Sequence, residues 1–108
     1  ANVSTEKLAR TVGAAIRQPA LADGRSPDVE PFALIEPIPS LPHAGSGLVV
    51  WDFGTPAPPT ANIPPREGED PHGKLGEVPD ALSMVATFIG SDGAIIDVCA
   101  TEPCSSPG

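Results

Sequence analysis

The N-terminal segment, residues 1–18, has a helical pattern of apolar and polar positions. Leu8, Val12 and Ile16 recur every four residues and so fall on one side of a helix, while polar and charged side chains fill most other positions. Pro19 cannot continue a helix, because it lacks a backbone donor. The pattern therefore predicts an amphipathic N-terminal helix whose apolar side packs on the rest of the chain or on a partner.

Two apolar runs near the carboxyl end favour β-structure. Residues 84–89 and 94–99 are rich in β-branched and apolar side chains, and the Asp92-Gly93 pair between them tolerates the positive φ angles of a tight turn. The pattern predicts a hairpin in which these two runs pair in antiparallel register. A continuous helix from Asp80 to Phe88 is the competing interpretation, because Pro79-Asp80 is also typical of a helix start.

The strand–turn–strand pattern around Asp92-Gly93 resembles a hairpin in the C-terminal domains of TonB-type energy transducers. The resemblance covers about twenty residues of a common motif. The helix and third strand that follow in those domains have no counterpart in this sequence. The resemblance therefore implies a local hairpin, and no family is assigned from it.

One further strand and two proline-rich segments occupy the middle of the chain. Residues 48–53 form an apolar run bounded by glycine and proline, with Trp51 and Phe53 on one face and an acid on the other. Segment 19–47 allows only a short edge strand, because prolines bracket its apolar run. Segment 54–79 is acidic and holds seven prolines, which predicts an extended arm or loop.

Composition limits the size of the core. The 108 residues include 15 prolines and 11 glycines but only 3 Phe, 1 Trp and no Tyr. A core this small usually needs a covalent staple, a metal or a partner. We expect an α+β fold that is mostly β and irregular. It would combine the N-terminal helix, a small antiparallel sheet built from the hairpin of segment 80–108 and one or two further strands, and long Pro/Gly-rich extended segments.

Charge is unevenly distributed and restricts the possible partners. Residues 1–25 carry four basic and two acidic side chains, whereas residues 26–108 carry two basic and twelve acidic ones. The acidic body repels nucleic acid and anionic lipid, so other protein subunits are the expected partners. No apolar run approaches the length that spans a bilayer, which argues against a direct membrane span.

Cys99 and Cys104 predict a structural disulfide. They enclose four residues after the last predicted strand, so the bond would close a small loop, a constraint worth about 2 kcal/mol. Free thiols, or metal or redox chemistry, are the alternatives, although the spacing departs from the Cys-x-x-Cys of redox enzymes. The pair favours an extracytoplasmic protein, periplasmic or secreted, whose leader has been removed; an intracellular fragment is the other interpretation.

Candidate chemistry is sparse. His72 follows an acidic cluster at residues 67–70, which can bind a cation weakly, although a solvated acidic loop is the more common outcome. We assign no catalytic, cofactor-binding or metal-ligating residue and expect no cofactor. One alternative remains: a small subunit or fragment of an enzyme whose active site another chain completes, with Cys99, His72 and the acidic cluster as its candidates.

The predicted interface combines Leu8, Val12 and Ile16 of the helix with Trp51 and Phe53 of the strand. Trp51 is most often a core anchor in a chain with so few aromatic residues, but tryptophan is also enriched at interface hot spots. We therefore expect a non-catalytic accessory or structural subunit of a larger protein assembly, which binds its partners through the extended proline-rich segments.

Overall fold

A computed structural model describes residues 3–26, 28–57, 59, 61–64, 66–68 and 70–106. The fold is a small mixture of helices and short strands, which confirms the α+β class. In chain order the elements are α1 (Val3–Val12), β1 (Ala15–Ile16), β2 (His43–Ala44), β3 (Gly47–Leu48), β4 (Trp51–Asp52), a 3₁₀ helix (Lys74–Glu77), α2 (Pro79–Gly90), β5 (Ala94–Ile95) and β6 (Cys104–Ser105).

The N-terminal helix α1 is present, but it is shorter than predicted and buries a different side. It ends at Val12 because Gly13 adopts a φ of 70°, and the chain then becomes extended as β1. Glu6 and Ala9 face the interior, whereas Leu8 and Val12 are exposed. Leu8 and Val12 therefore do not pack on the rest of the chain, and their contact with a partner, the other predicted alternative, stays a prediction.

The predicted C-terminal hairpin is also wrong, because α2 occupies residues 84–89. Proline in the first turn and Asp80 near the positive helix end both favour this helix start. Asp92 and Gly93 do have positive φ angles, of 59° and 103°, but they end the helix, and the Gly93 amide donates to the Phe88 carbonyl. The resemblance to the TonB-type hairpin is lost with this correction.

Short, separate ladders replace the expected antiparallel sheet. β1 pairs with β3 in parallel, β2 with β5 in antiparallel and β4 with β6 in parallel orientation, each over two residues per strand. The predicted strand 48–53 is divided between β3 and β4. The edge strand expected in segment 19–47 is absent at residues 31–34, which form turns, with Leu34 at a φ of 65°.

Two groups of apolar side chains form the core, and one helix contributes side chains to each group. The N-terminal cluster consists of Ala9, Ala14, Ile16, Ala20 and Ile35, with Phe32, Leu48 and Val50 packed against it. The C-terminal cluster consists of Ile38, Met84 and Ile95, with partly buried neighbours that include Leu41, Val49, Trp51 and Ile96. α1 thus packs on the N-terminal cluster, and α2 packs on the C-terminal cluster.

Arginine side chains bind carbonyl groups of the irregular chain. Arg10 donates from Nε to the Ala33 carbonyl at 2.6 Å and from Nη2 to the Pro31 carbonyl at 2.9 Å. Arg25 donates from Nη2 to the Thr55 carbonyl at 2.8 Å. Proline-rich chain offers few amides to form a ladder, so these guanidinium groups supply donors that a sheet would otherwise provide.

Arg17 makes the most buried of these connections and is only 2% exposed. Its Nη1 donates to the Pro19 carbonyl at 3.0 Å, and its Nη2 donates to the Ala100 carbonyl at 2.9 Å. Nη2 also lies 3.4 Å from Asp97 Oδ1. A single side chain in the N-terminal part therefore holds the loop that precedes β6.

Candidate functional site

An open apolar groove runs alongside α2, with a volume of about 380 Å³. We call it the α2 groove; its apolar walls include Trp51, Leu75, Met84, Val85, Phe88 and Ile95. Met84 and Ile95 belong to the C-terminal cluster, so the core fixes the floor of the groove. A groove of this volume lies within the size range of natural ligand sites, and its lining is apolar like theirs.

The exposed side of α2 continues the apolar surface beyond the groove. Leu82, Val85 and Ile89 lie three and four residues apart, which places them on one side of the helix. We call these three residues the α2 apolar face; they are 49%, 53% and 74% exposed. Because Val85 also lines the groove, the face and the groove form one continuous apolar surface.

Acidic side chains surround this surface. Glu77, Asp80 and Asp92 are all exposed and flank α2 at its two ends. Residues 75–106 contain no lysine or arginine. The α2 surface therefore presents aliphatic side chains inside a negatively charged border, which favours an apolar partner that carries positive charge.

The structure separates the five residues predicted for the interface. Leu8 and Val12 are 61% and 58% exposed on α1, and Trp51 lines the α2 groove in a half-buried position. Phe53 is half-buried just after β4. Ile16 is completely buried in the N-terminal cluster, so assigning it to a surface is corrected here: it is a core residue of this fold.

The predicted disulfide is confirmed between Cys99 and Cys104, whose Cα atoms are 5.3 Å apart. Cys104 is buried in β6, which pairs with β4 at Trp51, so the disulfide ties the loop that begins at Cys99 to a strand beside the groove. Because both sulfur atoms are in the bond, Cys99 carries no thiol that can act as a nucleophile in this state.

The strongest ion pair of the described chain joins Arg25 and Asp52 of β4. Arg25 Nε and Nη2 donate to the two carboxylate oxygens at 2.7 and 2.9 Å. These hydrogen bonds, helped by the Gly54 amide, hold the pKa of Asp52 below its ordinary value, and they raise the pKa of Arg25. The pair fixes the strand that carries Trp51 rather than forming a reactive site.

The His72 region contains an exposed pair and no assembled ligand set. His72 Nδ1 lies 2.7 Å from Asp70 Oδ1, and hydrogen bonds from the His72 side chain and amide lower the pKa of Asp70. Glu69, part of the predicted acidic cluster, lies outside the described residues. Within the described ranges, no three His, Cys, Asp or Glu side chains converge to hold a metal ion.

Sequence analysis missed the α2 apolar face because it assigned these residues to a strand. The signal was present: Leu82, Val85 and Ile89 have helical spacing and follow a proline–acid helix start. None of the helices that the structure describes is long and apolar enough to cross a membrane. Comparison of the chain with protein-family models, with curated proteins and with solved structures finds no match.

Proposed function

We propose that this chain is a non-catalytic accessory or structural subunit of a larger protein assembly, and that its α2 surface receives another polypeptide. The observation that carries the proposal is the continuity of the α2 groove with the α2 apolar face. Contiguous apolar surface with a polar border is typical of protein–protein contact sites.

Physical chemistry supports the role of α2 as an interface helix. Complete burial of an aliphatic side chain contributes about 1.5–3 kcal/mol, and Leu82, Val85 and Ile89 remain 49–74% exposed. The fold itself gains little from these side chains. A partner that covers them gains the stabilisation that the isolated chain leaves unused.

The proline-rich segment offers a second contact in this proposal. The described residues 61–64 and 66–68 are all exposed, and Ile63 is among the exposed large apolar side chains. Extended proline-rich chain loses less entropy on binding than flexible chain does, so it is well suited to lie along a partner. The segment leads directly into the 3₁₀ helix whose Leu75 lines the α2 groove.

The disulfide supports an extracytoplasmic place for the assembly. Disulfides persist in oxidising compartments such as the periplasm or the extracellular space. In the proposal, the Cys99–Cys104 bond persists in such a compartment and keeps the loop before β6 closed.

The native mass of the particle that contains this chain tests the proposal. We expect a mass well above the 11.0 kDa of one chain, together with slow amide exchange along α2 that becomes fast in the isolated chain. Val85→Glu should release the chain from the particle, whereas Ser83→Glu, on the opposite side of the same helix, should leave it bound. An 11.0 kDa particle with catalytic turnover of its own would replace this proposal by the enzyme alternative.

A further inference from the structure

α1 carries a second uncovered apolar surface, and its charge is opposite to that of the α2 surface. Leu8 and Val12 lie one turn apart and are more than half exposed, with the exposed Lys7 beside them. We call these three residues the α1 edge. Residues 1–25 carry a net positive charge, whereas Glu77, Asp80 and Asp92 outnumber Lys74 beside the α2 surface and give its border a net negative charge.

We infer that the α1 edge docks into the α2 groove of a second copy of this chain, so that copies join head to tail. This inference rests on the proposed function, in which the α2 surface receives another polypeptide, and it names that polypeptide. Leu8 and Val12 supply the aliphatic contacts, and Lys7 faces the acidic border.

The local shape of α1 suits a groove. The exposed neighbours Ser4, Thr5 and Thr11 have short side chains, so the two aliphatic residues can approach a concave surface closely. Helix-in-groove recognition uses this arrangement, with apolar anchors one turn apart on the inserted helix. The α2 groove is open and apolar, and the partly exposed Val85 at its wall extends the contact onto the α2 apolar face.

Charge favours head-to-tail contact over contact between two α2 helices. Two copies that met through α2 would bring Glu77, Asp80 and Asp92 of each chain close to the same acids of the other. Like charges at an interface oppose association. Contact between the α2 surface of one copy and the α1 edge of another avoids that repulsion. The acidic side chains beside α2 then attract Lys7.

Each copy can use both surfaces at once. α1 packs on the N-terminal cluster and α2 on the C-terminal cluster, so the two surfaces belong to different parts of the molecule. Such a heterologous contact produces a closed ring when the rotation closes, or an open chain when it does not. A ring closes at two copies only when the rotation is a half turn, and any other rotation lets assembly continue beyond two copies.

Analytical ultracentrifugation of the complete, oxidised chain tests this inference. The wild type is measured from about 10 μM to about 1 mM, because small interfaces are usually weak. Leu8→Gln/Val12→Gln removes the apolar contacts of α1 without changing its charge. Val85→Glu damages the α2 surface, and Ser83→Glu is its matched control.

We expect the wild type and Ser83→Glu to exceed the chain mass of 11.0 kDa as concentration rises, reaching twice that mass if two copies close a ring and a larger mass otherwise. Each of the other two variants alone should remain monomeric, with affinity reduced at least tenfold. A 1:1 mixture of those two variants should form a particle of twice the chain mass and nothing larger. Only one intact α1 edge and one intact groove are available in that pair.

Two results would overturn the inference. A wild type that stops at two copies, together with a Leu8→Gln/Val12→Gln variant that still pairs, would show contact between α2 helices instead. A wild type that stays monomeric up to about 1 mM would show that the α2 surface receives a different protein. That second result leaves the proposed function standing, because a native particle above 11.0 kDa would then contain another chain.

Discussion

The N-terminal and C-terminal halves of this molecule differ in which of their groups have partners and which remain exposed. In the N-terminal half, arginine side chains reach the carbonyl groups of the irregular chain, and small apolar residues fill the N-terminal cluster. Around α2, the C-terminal cluster contains only three buried residues, and a row of aliphatic side chains stays uncovered. The comparison shows that arginine side chains bind carbonyl groups of the N-terminal half, whereas aliphatic side chains of α2 stay exposed; in our proposal, another chain covers them.

The largest expected loss of stability follows from replacing the most buried arginine of the N-terminal half. Arg17→Met should lower the free energy of unfolding by about 4 kcal/mol, because it leaves the Pro19 and Ala100 carbonyls without their donor. Denaturant unfolding measures the change. Arg66→Met is the matched control, since Arg66 is exposed, and it should change stability by less than about 0.5 kcal/mol. Equal effects of the two substitutions would contradict the role assigned to the buried guanidinium.

The next largest effect on stability distinguishes the buried side of α2 from its exposed side. Met84→Ala should cost about 3 kcal/mol, because Met84 is buried in the C-terminal cluster. Val85→Ala should cost about 0.5 kcal/mol or less, since Val85 is half exposed and alanine is the better helix former. Thermal unfolding of both variants checks the pair. If Val85→Ala were as destabilising as Met84→Ala, the α2 apolar face would belong to the core and not to an interface.

The disulfide closes a short loop within the C-terminal half, and its loss should have a smaller, mainly local effect. Replacement of Cys99 and Cys104 together by serine should cost about 2 kcal/mol, because the small closed loop no longer restricts the unfolded chain. Amide exchange should accelerate at β6 and at the Ala100 loop, while β1 and β3 stay protected. The reduced wild type is the control and should behave like the double variant. An acceleration no greater at β6 than at β1 and β3 would show that the disulfide has no local role at β6.

The correctly predicted features are those that depend on residues close to one another in the chain. Cys99 and Cys104 need only a turn between them to pair, and the polar start of α1 has the spacing of a helix. Residues 84–89 were misassigned because a short apolar run is compatible with both a strand and a helix. The proline–acid start at residue 79 favoured the helix, and it decided the outcome over the Asp92-Gly93 turn signal.

Long-range contacts explain the remaining differences between sequence and structure. β1 pairs with β3 and β4 with β6 over two residues each, which leaves no periodic pattern that a sequence can display. The carbonyl contacts of Arg10 and Arg17 depend on tertiary folding and not on residue spacing. Leu8 and Val12 were predicted for burial or for an interface, and only knowledge of which side of α1 faces the core distinguishes the two outcomes.

The smallest expected effect concerns acid stability and the Arg25–Asp52 pair, which fixes β4 between the two halves. Hydrogen bonds from Arg25 lower the pKa of Asp52 in the folded chain, so the pair stabilises the fold above the unfolded-state pKa of about 3.9. That contribution should be lost as the pH falls below 3.9 and through the folded-state pKa. The urea midpoint of the wild type should therefore fall in this range.

Asp52→Asn should lower the midpoint at neutral pH and flatten this acid dependence, whereas Asp23→Asn, an exposed control, should leave the wild-type curve unchanged. Part of the acid dependence should survive in Asp52→Asn, because the pKa of Asp70 is also lowered by its contacts with His72. An unchanged acid dependence in Asp52→Asn would mean that the pair does not hold β4. The connection between the two halves would then depend on other contacts, such as the hydrogen bond from Arg17 to the Ala100 carbonyl.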